Sequence, residues 1–147
     1  MKKIRVLLAG ESWVTFSTHH KGFDRFAAGM YDNGQRYLEA ALKSDPSIEY
    51  VHMPGHEVSE RFPFTMEELK EWDVIIISDI GSNSFLLSNK VFLEGKKEAN
   101  RLQLLKEWTS GGGALVMCGG YLSFSGFQAS AKFFRTPIEE VLPVDIY

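Results

Sequence analysis

With 147 residues, the chain is long enough for one domain with a sizeable hydrophobic core. Its hydrophobic fraction of 44% and charged fraction of 24% are typical of a soluble globular protein, and no apolar run is long enough to span a bilayer. The formal net charge of -3 gives no basis for nucleic-acid or membrane partners, and the single cysteine excludes an internal disulfide and predicts a cytoplasmic protein.

The first part of the chain predicts two strands and a helix. Ile4 to Ala9 is a continuous apolar run, which is typical of a strand buried on both faces. Residues 10–31 predict a long irregular segment, and apolar side chains at helical spacing over residues 34–43 predict a helix. Residues 48–53 predict a second strand. Residues 54–63, which begin with Pro54 and end with Pro63, predict a loop.

The middle of the chain continues this alternation. Thr65-Met66-Glu67-Glu68 is a capping-box pattern that predicts a short helix ending near residue 71. Val74 to Ile77 is β-branched throughout and predicts the third strand, which leads into a polar turn over residues 78–84. Asn100 can cap the next helix, and Gly111 to Gly113 end it, because glycine tolerates the left-handed conformation that follows a helix.

The last part of the chain completes the pattern. Ala114 to Cys118 predicts the fourth strand, and Thr136 to Glu139 predicts the start of a short helix. Residues 144–147 predict the start of another strand, and such an abrupt end is typical of the amino-terminal portion of a longer protein. The alternation of strands and helices predicts an α/β fold: a single domain over residues 1–147, built as a three-layer sandwich around a flavodoxin-like parallel sheet of four to five strands.

Polar or glycine-rich turns follow three of the predicted strands. Because the carboxyl ends of parallel strands meet at one edge of a sheet, we expect these turns to converge on a site for a small polar metabolite. Each residue also has a structural alternative, since such side chains cap helices and make local turn hydrogen bonds. The candidate ligand-binding residues are Glu11, Ser12, Asp79, Gly81, Asn83, Gly119, Gly120, Tyr121 and Ser123.

Two features at the end of the fourth predicted strand each have two interpretations. The Gly119-Gly120 pair can bring backbone N–H groups close to an anion or a carbonyl oxygen, and it can equally form a tight turn that needs positive φ. Cys118 is the candidate catalytic residue, as a thiolate made reactive by a nearby helix amino terminus. Its alternative, which we favour, is a small buried side chain near the end of a strand.

Five aromatic residues occur within the predicted irregular segment 10–31. They could line a ligand pocket, form a protein interface, or anchor the segment on the sheet, and we favour the third interpretation because large aromatics dominate core burial. These residues are Trp13, Phe16, Phe23, Phe26 and Tyr31.

No metal or organic cofactor is predicted from the motifs. His52 and His56 are four residues apart, but Pro54 and Gly55 between them exclude a helical pair of ligands. Gly10-Glu11-Ser12 lacks the glycine spacing of a dinucleotide-binding turn.

Eight motifs in order along the chain together resemble one known family. They are Gly10–Trp13, His20–Asp24, Met53–His56, Ser78–Asn83, Asn100–Leu102, Gly111–Gly113, Gly119–Gly126 and Thr136–Val144. In this order they resemble the bacterial family called putative glutamine amidotransferases, within the class I glutamine amidotransferase-like superfamily. The resemblance implies a flavodoxin-like sheet with its site at the carboxyl ends of the strands.

The chain departs from the superfamily's catalytic pattern in two ways. The resemblance implies a cysteine in a Gly-x-Cys-x-Gly elbow, followed later in the chain by a histidine and an acid. Cys118 is instead preceded by Val116-Met117, so that Gly119 or Gly120 falls at the elbow position, and all four histidines precede Cys118.

These departures predict a family member without a complete Cys-His-Glu triad that binds a small polar metabolite. The alternative is an active amidotransferase or hydrolase that uses Cys118 or residues of a further carboxyl-terminal segment. An exposed sheet edge would also favour a homo-oligomer.

Overall fold

The computed structural model describes residues 2–147. The six strands are β1 (Ile4–Gly10), β2 (Ser12–Lys21), β3 (Asp24–Asn33), β4 (Ile48–Met53), β5 (Val74–Ser78) and β6 (Ala114–Cys118). The six α-helices are α1 (Arg36–Lys43), α2 (Gly55–Arg61), α3 (Met66–Leu69), α4 (Asn83–Leu86), α5 (Asn89–Phe92) and α6 (Arg101–Ser110). Two short 3₁₀ turns lie at Phe127–Ala129 and Glu139–Val141.

Four of the strands form a parallel sheet in the order β4-β1-β5-β6. The chain moves from β1 outward to β4 and then crosses back to β5 on the other side of β1. This arrangement is that of a flavodoxin-like sheet, and the reversal lies between β1 and β5. The predicted α/β fold with a flavodoxin-like parallel sheet of four to five strands is therefore confirmed, and the sheet has four.

Helices cover both faces of the sheet, which explains why β1 is apolar without alternation. Leu7 and Ala9 point into the main core, which also takes apolar side chains from α2, α3, α4 and α6. Val6 and Leu8 point to the other face, where Leu42 of α1 packs. All four of these β1 side chains are buried, so β1 is the central strand of a three-layer structure.

The caps read from the sequence lie where they were predicted. Thr65 and Glu68 form a reciprocal capping box at the start of α3. The side chain of Asn100 accepts hydrogen bonds from the N–H groups of Leu102 and Gln103 at the start of α6. Within residues 2–147, no helix is both long and apolar enough to cross a membrane.

The prediction of an irregular segment over residues 10–31 is wrong. This part of the chain forms β2 and β3, an antiparallel hairpin whose pairing runs without a break from Ser12 opposite Asn33 to Lys21 opposite Asp24. A two-residue turn joins the strands, and Gly22 supplies the positive φ of 64° that such a turn requires. The five aromatic residues of this segment do not anchor it on the sheet, since each is 41% or more exposed.

Two shorter predictions are also wrong. Residues 54–63, predicted as a loop, contain α2. Residues 144–147 were predicted to begin a strand, but they form an irregular segment in which Ile146 is buried and its N–H donates to Glu139 at 2.9 Å. A short apolar run near a core fits either structure, because burial alone does not require pairing with a strand.

Candidate functional site at the carboxyl ends of the strands

A cleft of about 550 Å³ opens at the carboxyl ends of β1, β5 and β6. It lies at the reversal of strand order, which is where ligands bind in open α/β sheets. Its lining residues are Glu11, Trp13, Thr15, Asp79, Gly119, Gly120, Tyr121 and Leu122.

Glu11 follows β1 in a left-handed conformation, with φ of 50°. Its N–H donates to the carbonyl oxygen of Ser78 at 2.7 Å, and the Ser78 hydroxyl donates to Glu11 Oε2. Its own carbonyl oxygen accepts from the N–H of Gly34 at 3.1 Å. These bonds to two other segments hold a sparsely populated backbone conformation of the kind that collects at functional sites.

Asp79 occupies the equivalent position after β5 and is also left-handed, with φ of 47°. Its Oδ1 accepts from the N–H of Leu122 at 2.8 Å, and its N–H donates to the Ser123 hydroxyl at 3.3 Å. A Cβ atom at Gly120 would lie 2.9 Å from Asp79 Oδ1. The glycine therefore allows the turn after β6 to approach Asp79 closely.

The cleft has an acidic character. Glu11 and Asp79 contribute carboxylates, and none of its lining residues is Lys, Arg or His. Within residues 2–147, Glu11 Oε1 and Asp79 Oδ2 accept no hydrogen bond, so each carboxylate keeps one oxygen available. Such a site favours a ligand that donates hydrogen bonds or carries positive charge.

The structure brings six of the predicted ligand-binding residues together. Five of them line the cleft, and Ser123 lies beneath it, 2% exposed, with its hydroxyl bonded to the N–H of Asp79. The five lining residues are Glu11, Asp79, Gly119, Gly120 and Tyr121.

Three others lie outside the cleft. The Ser12 hydroxyl accepts from the N–H of Gly55 at 2.7 Å and so supports the start of α2. Gly81 packs against the backbone of Ala131, where a Cβ atom would lie 3.3 Å from the carbonyl oxygen. Asn83 is exposed at the beginning of α4.

Cys118 does not line the cleft either. Its side chain packs against the smaller apolar cluster that includes Val6, Leu8 and Ile76. Successive side chains of a strand point to opposite faces, so Met117 faces the main core and Cys118 faces the other side of the sheet. The position agrees with a packing role for the thiol.

Sequence reasoning missed Thr15 and Leu122 and did not single out Trp13 as a wall of the cleft. Trp13 and Thr15 are two residues apart, so in an extended strand they share a face. The assumption of an irregular segment removed this signal. Leu122 is held beside the cleft by its backbone N–H, which donates to Asp79 Oδ1, and no side-chain pattern reveals such a contact.

Two further features of the described chain bear on the location of the site. A cavity of about 470 Å³ lies at the amino ends of β5 and β6, beside Trp108 and Gly113, on the edge away from the strand reversal. Among residues 2–147, no group of three or more His, Cys, Asp or Glu side chains is arranged to hold a metal ion.

The strand order, the crossover at β1 and the cleft at the reversal place the protein in the flavodoxin-like class of α/β proteins. The chain belongs to the family described as putative glutamine amidotransferase, whose model matches residues 5–147. No curated protein matches the chain in sequence.

Two solved structures from Salmonella are similar to the chain. The cytoplasmic protein STM3548 of Salmonella typhimurium shares 45% identity with a TM-score of 0.89, over 95% of this chain and 56% of that one. The cytoplasmic protein STM1381 of Salmonella typhimurium LT2 shares 44% identity with a TM-score of 0.92, over 98% of this chain and 58% of that one. The chain thus spans less than two thirds of each relative's length.

Proposed function

We propose that the protein binds a small polar metabolite in the cleft at the carboxyl ends of β1 and β5 and does so without covalent catalysis. The observation that carries this proposal is the pair Glu11 and Asp79. Both are held left-handed by hydrogen bonds at the strand reversal, both line the same cleft, and each has one carboxylate oxygen that accepts no hydrogen bond within residues 2–147.

The chemistry of the lining defines the ligand class. Two carboxylates recognise ammonium, amidinium or several neighbouring hydroxyl groups, because ionised acceptors make the stronger hydrogen bonds. Tyr121 offers a hydroxyl and an apolar ring, and Trp13 offers a second aromatic wall. An amino sugar or a polyol with a basic group satisfies both kinds of surface.

The position of Cys118 supports binding over a cysteine mechanism. A nucleophile must reach the reacting carbon of a bound substrate, yet this side chain packs in the apolar cluster with Val6 and Leu8. An amidotransferase reaction through Cys118 would need the thiol to reach the cleft, whose lining residues do not include it.

We assign the protein to the cytoplasm. Both structural relatives are named cytoplasmic proteins, and the single cysteine leaves the chain independent of an oxidising compartment.

Thermal unfolding with millimolar glucosamine, galactosamine, putrescine, glucose and glutamine tests the proposal. We expect at least one amine-bearing compound to raise the unfolding temperature, because ligand binding stabilises the native state by mass action. Glu11→Gln and Asp79→Asn should each weaken its binding about tenfold or more, since each loses a charge-assisted hydrogen bond.

Two variants serve as controls. Glu67→Gln removes an exposed carboxylate from α3, outside the cleft lining, and should bind like the wild type. Cys118→Ala should also bind normally and should match the wild type in any glutamine hydrolysis. Loss of hydrolysis in Cys118→Ala alone would establish the cysteine mechanism, and no stabilisation by any compound would reject the binding proposal for this ligand class.

A further inference from the structure

The hairpin of β2 and β3, residues 12–33, forms an arm that stands apart from the core. Every residue of β3 is exposed, and so is every residue of β2 after Ser12. The paired strands of ten residues each extend for about 33 Å. An isolated two-stranded hairpin is at best marginally stable in water, so an arm of this length requires a further surface to pack on.

Both faces of the arm carry exposed apolar side chains. A strand that packs one face on its own core has one apolar and one polar face, whereas here each face carries both kinds of residue. Phe16 on one face is 81% exposed, and Met30 on the other is 62% exposed. The pairing register places Val14, Phe16 and Tyr31 on the first face and Trp13, Phe26 and Met30 on the second.

The arm exposes a large apolar area to solvent. The same six side chains are between 41% and 81% exposed, and Phe23 at the turn is completely exposed. At about 200 Å² for a large side chain, the seven together expose roughly 800 Å² of surface. This area is divided between the two faces and the turn of the arm.

The edges of the arm lack the features that prevent strands from pairing with other strands. Each strand has one neighbour and one open edge, and the register contains no bulge. Residues 13–18 and 26–31 contain no charged residue and no proline. Lys21 and Arg25 balance Asp24 and Asp32, so the arm is electrically neutral. Long, flat and uncharged edges of this kind pair with other strands unless they are protected.

We propose that the arm pairs with the arm of a second copy of this chain, so that two open edges join across a two-fold axis into a four-stranded antiparallel sheet. A two-fold interface must be complementary to itself, and a neutral, apolar and unbulged ribbon meets that requirement. Trp13 and Thr15 at the base of the arm line the cleft, so the dimer also supports one wall of each cleft. The proposal is independent of what the cleft binds.

Sedimentation velocity across micromolar concentrations, combined with hydrogen exchange, tests the dimer. The wild type is expected to sediment as a dimer and to protect alternate amides along the outer edge of one arm strand. Phe16→Glu should raise the dissociation constant about tenfold or more, because it places like charges in the middle of both symmetric arms, and charged side chains oppose the pairing of open strand edges. It should also abolish the edge protection. Phe92→Glu, a matched change at a 71% exposed phenylalanine of α5, should remain dimeric.

Phe16 lies outside the core, so both variants should keep the cooperative unfolding of the wild-type parallel sheet. A monomeric wild type would overturn the proposal, as would a Phe16→Glu protein that remains dimeric. A dimer without arm protection would place the interface elsewhere and overturn it as well. Protection of the arm in a monomer would assign that surface to another segment of chain, and a monomer that binds neutral phosphatidylcholine vesicles would assign it to a membrane.

Discussion

Tyr50 shows how a buried polar group next to the site behaves. It lies on β4 opposite Val6 and packs in the smaller apolar cluster, and its hydroxyl is buried without a hydrogen-bond partner among residues 2–147. Burial raises the pKa of Tyr50 to about 12, and the negative charges of Glu39 and Glu11 contribute in the same direction.

This shift predicts a late ionisation in alkaline solution. An unperturbed tyrosine has a pKa near 10, so between about pH 10 and pH 12 the unfolded state loses this proton before the folded state does. The protonated Tyr50 therefore makes its full contribution to the free energy of unfolding below pH 10, and this contribution is lost as the pH rises through 12. The difference in phenolate absorbance between the wild type and Tyr50→Phe should have its midpoint near pH 12. A midpoint near pH 10 would show that the hydroxyl reaches water.

The same variant tests the energy of the unpaired hydroxyl. Removing a buried polar atom that has no partner also removes its desolvation penalty, so Tyr50→Phe should leave the free energy of unfolding unchanged or raise it by about 1 kcal/mol. Urea unfolding monitored by circular dichroism measures this change. A loss of more than about 1 kcal/mol would instead show that the hydroxyl has a partner in solution.

At the scale of elements, one arginine joins three helices. Arg101 at the start of α6 is 2% exposed, and its guanidinium packs 4.3 Å from the centre of the Phe64 ring. It donates to backbone carbonyl oxygens in and just after α2 and in α4, where the last carbonyl groups of a helix need donors from outside it. The accepting residues are Val58, Ser59, Phe62, Ser84 and Phe85, at 2.5 to 3.5 Å.

Arg101→Met is expected to destabilise the protein strongly. The methionine keeps an apolar stem but leaves buried carbonyl oxygens without donors, which costs roughly 3 kcal/mol or more in the free energy of unfolding. Arg101→Lys should recover a minor part of this loss, because an ammonium group lacks the planar fork that reaches two helices.

Arg61→Met provides the matched control. Arg61 lies on α2 and forms an exposed ion pair with Glu57, and such pairs contribute below about 1 kcal/mol. Denaturant unfolding of the three variants gives the comparison. Equal losses for Arg101→Met and Arg61→Met would contradict the assigned role of Arg101.

Elements were predictable from the sequence where their signal is local. The strand β5 and the capping box of α3 depend on neighbouring residues, and both were found. The helix α2 was missed because the hydroxyl that accepts from its first N–H belongs to Ser12, 43 residues away. The arm was missed because strand patterns assume one buried face, and neither face of this arm is buried by its own chain.

At the scale of the whole molecule, topology decided which parts of the site could be predicted. Parallel strands bring Glu11 and Asp79 to one edge, so their convergence followed from the fold. Ser12 was lost to the site because β2 begins at that residue and turns its hydroxyl toward α2. The orientation of Cys118 depends on a strand parity that a shift of one residue reverses, and the sequence alone does not fix it.

The convergence of the three strand ends predicts that alanine substitutions at two adjacent glycines have different effects on the cleft. A Cβ at Gly120 would lie 2.9 Å from Asp79 Oδ1, whereas a Cβ at Gly119 would meet no atom within 4 Å. Gly120→Ala should therefore displace Asp79 from the Leu122 N–H, now 2.8 Å away, and speed the hydrogen exchange of that amide about tenfold or more. Gly119→Ala should leave the exchange unchanged, since neither space nor backbone conformation opposes it. If both variants retain the protection of the Leu122 amide, the close approach of the turn after β6 to Asp79 does not shape the cleft in solution.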